Sequence, residues 1–332
     1  MNQPPEHASL LMFELLAERN GKLAALRLDF VPPEPTQLLE LLRTPAYGEL
    51  TREIPCLLDA DPWSQLAPEL QSALRDAGCE FIAPAAVHRT DTAPQPNTQP
   101  PSARWTGGRW YLAPPGKGES THSASRASTL QLLQLVTSDS ETRDIEAMFK
   151  REPALSYHLL RLVNSVATGA GRRITSLAQA IVILGRQQLQ RWLNLLLFAA
   201  GDDSPRTAML LAHAVVRARR VELLAQAVGL DKAAQDQAFM GGLFSLLDIL
   251  FGMPLDQILQ PLSISAALRA ALLEQRGELG TLLRIADAAS RRDHRATAHL
   301  LSEIGCAAPQ FNELELRAHT WMLDVLNTGG EG

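Results

Sequence analysis

Cleaving an ester or a phosphodiester needs a nucleophile beside a base, or a cation that acidifies its bound water, and this chain offers few residues for either. No GxSxG elbow is present, and no GxxxxGK[ST] or GxGxxG loop presents backbone amides to a phosphate. Cys56, Cys79 and Cys306 lack CxxC or Cys/His metal spacing, which suits a reducing compartment. Carboxylates are the remaining resource. If Glu14, Asp29 and Asp59 in the first third meet at one strand end, they can serve hydrolysis; if they disperse, they cannot. Further along, Arg217, Glu222 and Asp248 lie in otherwise apolar helical runs, where an unpaired charge is costly, so they are expected to pair with one another. Arg219 and Glu222, three apart, also suit a surface pair. Asn164 and Ser165 end a helical run before a glycine-containing loop, where their side chains can bond free carbonyls or loop backbone. No spacing defines a catalytic set, a metal site or a cofactor site.

The elements that position these residues fall into two regions. A chain of 332 residues with 46% hydrophobic content fits two domains better than one. In the first third, Asn20-Gly21 separates two strand-like runs and predicts a hairpin with a two-residue turn. Glu53 to Leu58 reads as a strand, Gln65 to Asp76 as a helix ended by Gly78, and Cys79 to Ala83 as a returning strand. Residues from about 90 to 104 form a Pro-rich insertion, Arg109 to Ala113 has strand character, and a small polar linker runs to 128. The expected domains are therefore 1–120 and 129–328.

Beyond Thr129 the pattern is helical. Pro153 and the Ser176-Gln179 capping box open helices, and Ser204-Pro205 opens a long one closed by Gly229. One segment then runs from Asp231 to Gly252, followed by Ser265 to Arg276, Glu278 to Arg291, Ala296 to Ile304 and Asn312 to Leu326. No fixed-length repeat relates them, so an irregular all-α bundle is expected. The fold class is α+β overall, a small mixed α/β lobe before the helices. Trp105, Trp110, Trp192 and Trp321 read as core or interface anchors.

The net charge of −5 gives no electrostatic basis for binding nucleic acid. Arg172-Arg173 and the cluster Arg217, Arg219, Arg220 could hold one phosphate or one acidic partner, and read more simply as solvated helix ends. No leader-like start is seen, and the apolar run Trp192 to Ala200 is too short to span a bilayer, so a soluble cytoplasmic protein without membrane insertion is expected.

The run DIEAMFKREPALSYHLLRLVNS (Asp144 to Ser165), followed by ITSLAQAIVILG (Ile174 to Gly185) and RWLNLLL, resembles the HDOD family of bacterial signalling proteins, whose helical fold is related to the HD phosphohydrolases. AVVRARRVELLA (Ala214 to Ala225) and AFMGGLFSLLDILFGMPLDQIL (Ala238 to Leu259) continue the likeness. FELLAER (Phe13 to Arg19) and GRWYLAP (Gly108 to Pro114) resemble the ends of an EAL domain, the barrel that in active members hydrolyses cyclic di-GMP. About a hundred residues separate them, fewer than the roughly 200 or more that a (β/α)8 barrel needs.

The HD relationship implies His213 as the counterpart of an upstream metal-binding His and Asp287 as that of a later Asp. Ser245-Leu246 stands where the His-Asp pair would be. The resemblance therefore implies a non-enzymatic signalling scaffold that binds protein partners. A divergent phosphohydrolase, a cyclic di-GMP phosphodiesterase and a receptor that binds a cyclic dinucleotide uncleaved are the alternatives.

Overall fold

The structure is a computed structural model that describes residues 9–31, 34–63, 66–92, 100–113, 190–199 and 204–327, with a few isolated positions between 131 and 179. Asn164, Ser165, the Pro153 and Ser176 helix starts and the expected domain boundary near 120 lie outside the described residues.

Six strands, β1 (Leu10–Ala17), β2 (Leu23–Val31), β3 (Cys56–Asp59), β4 (Cys79–Ile82), β5 (Val87–Arg89) and β6 (Trp105–Gly107), form one mixed sheet in the order β4-β3-β2-β1-β6-β5. The hairpin expected at Asn20-Gly21 forms with β1 and β2 antiparallel, but its turn has three residues. Glu18 N–H donates to the Lys22 carbonyl, and Gly21 takes φ +78°, so a left-handed residue closes a bulged turn in place of the two-residue form. β3 and β4 add in parallel, which a β-α-β unit requires.

Two helices not foreseen, α1 (Pro35–Leu42) and α2 (Pro45–Glu53), lead into β3. Proline opens each, where a missing N–H leaves no bond unmade, and Thr44 Oγ1 caps α2 by accepting from Tyr47 N–H. Glu53 thus ends a helix instead of starting a strand. After the short α3 (Ala60–Trp63), α4 (Pro68–Asp76) starts three residues later than expected, again at a proline. Arg109 to Ala113 is not a strand: Trp110–Leu112 form a single 3-10 turn, and the strand is β6, just after the stretch read as an insertion.

The described C-terminal residues are helical. Residues 190–199 form a helix. α5 (Pro205–Ala227), capped by Ser204, is central to the region and precedes α6 (Lys232–Phe244), capped by Asp231. The segment expected to run unbroken to Gly252 instead stops at Ser245, and α7 (Leu247–Phe251) restarts after Leu246. Ser245 Oγ donates to the Gly242 carbonyl at 2.8 Å, a local bond that competes with continuation of the helix. α8 (Leu255–Leu259), α9 (Ala266–Glu274), α10 (Gly277–Ser290), α11 (His294–Glu303) and α12 (Ala308–Asn327) follow. No described helix is long and apolar enough to cross a membrane.

One apolar core joins the sheet to these helices, with Phe13, Leu28, Tyr47 and Leu58 in the same cluster as Leu210, Leu224, Phe311 and Met322. The sequence-distant junction between them is bonded as well as packed. Asn312 of α12 accepts from Leu11 N–H at 2.7 Å and donates to the Ser9 carbonyl at 3.0 Å, satisfying backbone groups at the start of β1 on the edge that faces away from β2. The other face of the sheet carries a smaller cluster, Leu16, Ala25, Leu57, Ile82, Val87 and Trp105. Glu14, Arg27 and Asp29 share that face, because Glu14 is in register with Arg27 and Met12 with Asp29.

Close packing of α5 on α6 depends on Gly242, where an added Cβ would lie 2.6 Å from Ala218 Cα and 3.1 Å from the Arg217 carbonyl oxygen. Both obstacles are backbone and cannot rotate away. Gly242→Ala is expected to destabilise the fold by about 1–3 kcal/mol, seen as a lower urea midpoint; an unchanged midpoint would contradict this packing.

Candidate functional site

Two clusters hold most of the charges that the sequence singled out, and in each a guanidinium sits among the acidic groups. In the helical region Arg217, buried within α5, donates from Nε to Ser245 Oγ at 2.7 Å and pairs with Asp287 at 2.7 Å. His213 lies one turn earlier on α5, its ring 5.5 Å from that of Tyr111. Burial, then the charges of Arg217, Arg220 and Arg109, push its pKa well below the usual histidine range. Ser245 and Asp287 therefore hold one fixed positive charge, with His213 a turn away on the same helix. That arrangement does not fit a metal ion, because the Asp287 carboxylate is already paired with Arg217 and receives a bond from Gln275 at 3.3 Å.

The expected mutual pairing of Arg217, Glu222 and Asp248 is not what forms. Glu222 binds Arg191 through both oxygens at 2.7 and 2.5 Å, and also meets Arg219 at 2.7 Å and Lys232 at 3.5 Å. Burial raises its pKa, but Arg191 and then Arg219 outweigh that and bring it to about 2. Asp248 is exposed at the start of α7. Arg191 was missed because its partner lies 31 residues away; its stacking on Phe239 at 3.7 Å explains why a cation is tolerated beside an apolar helix.

On the sheet Glu14, Asp29 and Asp59 do converge, around two arginines. Glu14 accepts from Arg27 Nε at 2.6 Å and from Gly108 N–H at 2.9 Å, and pairs with Arg292 at 2.8 Å and Arg89 at 3.5 Å. Arg27 reaches on to Asp59 at 2.6 Å, and Arg292 to Asp29 at 3.5 Å, where His294 also stands 3.5 Å away. Burial raises the Glu14 pKa, yet Arg292 and Arg27 leave it below the ordinary carboxylate value; Asp29 is lowered in the same way by His294, Arg27 and Arg292. Both Glu14 oxygens are occupied by donors, so this cluster does not fit a divalent cation either. Among the described residues no three His, Cys, Asp or Glu side chains are placed to hold a metal ion.

Arg292 stands in the turn between α10 and α11 and His294 opens α11, so this cluster joins the helical region to the sheet. Arg292 has φ +55°, an uncommon conformation that costs about 1–2 kcal/mol for a residue with a Cβ. Its N–H donates to the Ala289 carbonyl and that of Asp293 to the Ala288 carbonyl, which fixes the turn and aims the guanidinium at Glu14.

Close by, Arg220 of α5 forms a fully buried two-point pair with Glu315 of α12, and Nδ1 of His319 lies 2.8 Å from the Glu315 carbonyl oxygen. Burial lowers the His319 pKa to about 4. A histidine whose folded pKa is depressed contributes stability that is present above its unfolded value near 6.5 and lost as pH falls through 4, about 3 kcal/mol in all. The melting temperature is thus expected to decline from pH 6.5 to 4, with a shallower slope in His319→Gln; an equal slope in that variant would contradict a neutral buried His319.

A family model described as the HDOD domain matches residues 126–257. The chain is 30% identical over 181 residues to the cyclic di-GMP phosphodiesterase CdgJ of Vibrio cholerae, across 54% of this chain and 41% of that protein. It is 27% identical over 175 residues to the uncharacterized protein YuxH of Bacillus subtilis, across 51% of this chain and 41% of that one. The matches thus span about two fifths of the length of these curated relatives. The solved structure of "Putative phosphohydrolase" from Shewanella amazonensis SB2B superposes with a TM-score of 0.44 at 17% identity, over 61% of this chain and 93% of its own.

The match to CdgJ corrects one expectation. The absence of enzymatic function was inferred from Ser245-Leu246 and from the length of the first third; a relative at 30% identity that is named as a phosphodiesterase points the other way. Ser245-Leu246 in the helical region says nothing of chemistry seated elsewhere in the chain.

Proposed function

We propose that this protein is a regulator in cyclic di-GMP signalling, whose helical region meets a protein partner and whose sheet region governs how that region is presented. Residues 1–120, resembling a shortened EAL domain, and 129–328, resembling HDOD, are the two units of this reading. Arg217 with Ser245 and Asp287, and Glu222 with Arg191 and Arg219, are its two separate candidate polar groups in the helical region.

The observation that supports it best is the charged junction of Glu14 and Asp29 with Arg292 and His294. A signal passes only if two arrangements differ in affinity for a ligand or partner, and ion pairs at a junction can be exchanged for water more readily than an apolar seam. The test is affinity capture from a cytoplasmic extract with the full chain and with Arg292→Glu. A partner whose retention changes by about tenfold or more, roughly 1.4 kcal/mol of coupling, agrees with this reading. Identical retention by both proteins counts against it.

A second reading, hydrolysis of cyclic di-GMP, is favoured by the CdgJ match; the carboxylates nearest one another in the sheet, Glu14, Asp29 and Asp59, are the residues to test for it although arginines now occupy them. Release of the linear dinucleotide by the wild type and its loss in a Glu14→Gln protein that circular dichroism shows to be folded would support hydrolysis at this face. Equal turnover by both would place any activity elsewhere.

A further inference from the structure

We propose that the small cavity where the sheet meets the helices binds a phosphoryl oxyanion, either free inorganic phosphate or the terminal phosphate of a nucleotide. The cavity measures about 50 Å3. That is room for about four atoms of water size, which suits a tetrahedral oxyanion and excludes a nucleoside from the interior. Four arginines line it, Arg109, Arg220, Arg291 and Arg292, with His213 in the wall, against one carboxylate, Glu14.

The charges already matched can be subtracted. Arg220 is neutralised from behind by Glu315 and is steadied by Ser290 Oγ at 3.2 Å. Arg292 faces Glu14 and Asp29, and Glu14 is further approached by Arg27 and Arg89, so it holds no charge in reserve for the cavity. Arg109 and Arg291 stand exposed at the mouth, and neither has an ion pair or side-chain hydrogen bond among the described residues. The cavity is therefore net positive. His213 adds no second charge to the wall, since burial, and then Arg217, Arg220 and Arg109, push its pKa well below the usual histidine range. Guanidinium forks match the oxygens of a phosphate in pairs, and two of them at a mouth that no free carboxylate guards form a receptor for that group. This inference concerns the cavity alone and stands or falls apart from the regulatory reading above.

The test is calorimetric titration of the full chain with sodium phosphate at an ionic strength held constant with chloride. Saturable heat from one site per chain is expected, weakened about tenfold or more in Arg109→Ala/Arg291→Ala, in line with lost charge-assisted bonds. Both positions are exposed, so the double variant keeps the fold, which its circular dichroism verifies. Arg75→Ala/Arg104→Ala, whose guanidinium groups lie over Phe81 and Trp105, should bind as the wild type does. A parallel titration with guanosine monophosphate separates the sources: binding tighter than that of phosphate identifies a nucleotide terminus, and equal or weaker binding identifies the free ion. Absence of saturable heat with both, or equal affinity in Arg109→Ala/Arg291→Ala, overturns the proposal.

Discussion

Glu315→Gln is expected to lower the unfolding free energy by about 3–5 kcal/mol, one of the two largest effects foreseen for a single substitution in this chain. Arg220 and Glu315 are both buried, on helices 95 residues apart in sequence, and they make two parallel hydrogen bonds. Removing one charge strands the other in a medium where its solvation is not replaced. The wild-type pair itself contributes little net stability, since bringing both ions out of water offsets most of their attraction. Arg220→Met/Glu315→Leu should therefore recover most of the loss. Urea unfolding of the wild type and the two variants checks this, and a double variant no more stable than Glu315→Gln would show that the pair is indispensable in itself.

Glu14→Gln is the second. The carboxylate is almost fully buried and approached by Arg27, Arg292 and Arg89. With it neutral, Arg27 retains Asp59 and Arg292 retains only Asp29 at 3.5 Å, so excess positive charge is left inside. A loss of about 2–5 kcal/mol is expected. Because the Glu14 pKa is lowered in the fold, the wild-type advantage is present above the unfolded carboxylate value near 4.3 and disappears as pH falls through the folded value. Wild type and Glu14→Gln should converge in stability at acid pH. A gap that persists undiminished at pH 3 would assign the effect to packing instead of charge.

Local signals in the sequence were legible where the physics is local. The hairpin at Asn20-Gly21, the caps at Ser204, Asp231 and Ser265, and the helix ends near Gly229 and Arg276 follow from turn chemistry and orphaned backbone groups. α1 and α2 were missed although Pro35 and Pro45 mark their starts, because eight- and nine-residue helices leave too few turns for an apolar period to register. The break at Ser245 was missed since a Ser-to-carbonyl bond three residues back leaves no mark on hydrophobic spacing.

Partner identity was not legible at all. Arg217 was read beside Glu222 and Asp248, yet its partner is Asp287; Glu222 was assigned a neighbour at i−3 and found Arg191 as well. Arg292 carried no signal, because a non-glycine residue gives no sequence mark of a left-handed turn and its carboxylate partners lie more than 250 residues away. That Glu14, Asp29 and Asp59 meet, and that guanidinium groups from strand β2 and the α10–α11 turn fill their midst, follows only from the fold.

The most direct test of the account is a double-mutant cycle across that junction, Glu14→Gln, Arg292→Gln and both together, followed by urea unfolding. The account predicts a coupling of about 1.5–3 kcal/mol, with the double variant less destabilised than the sum of the single ones. Additivity within about 0.5 kcal/mol would mean that the sheet and the helical region do not hold each other through these charges.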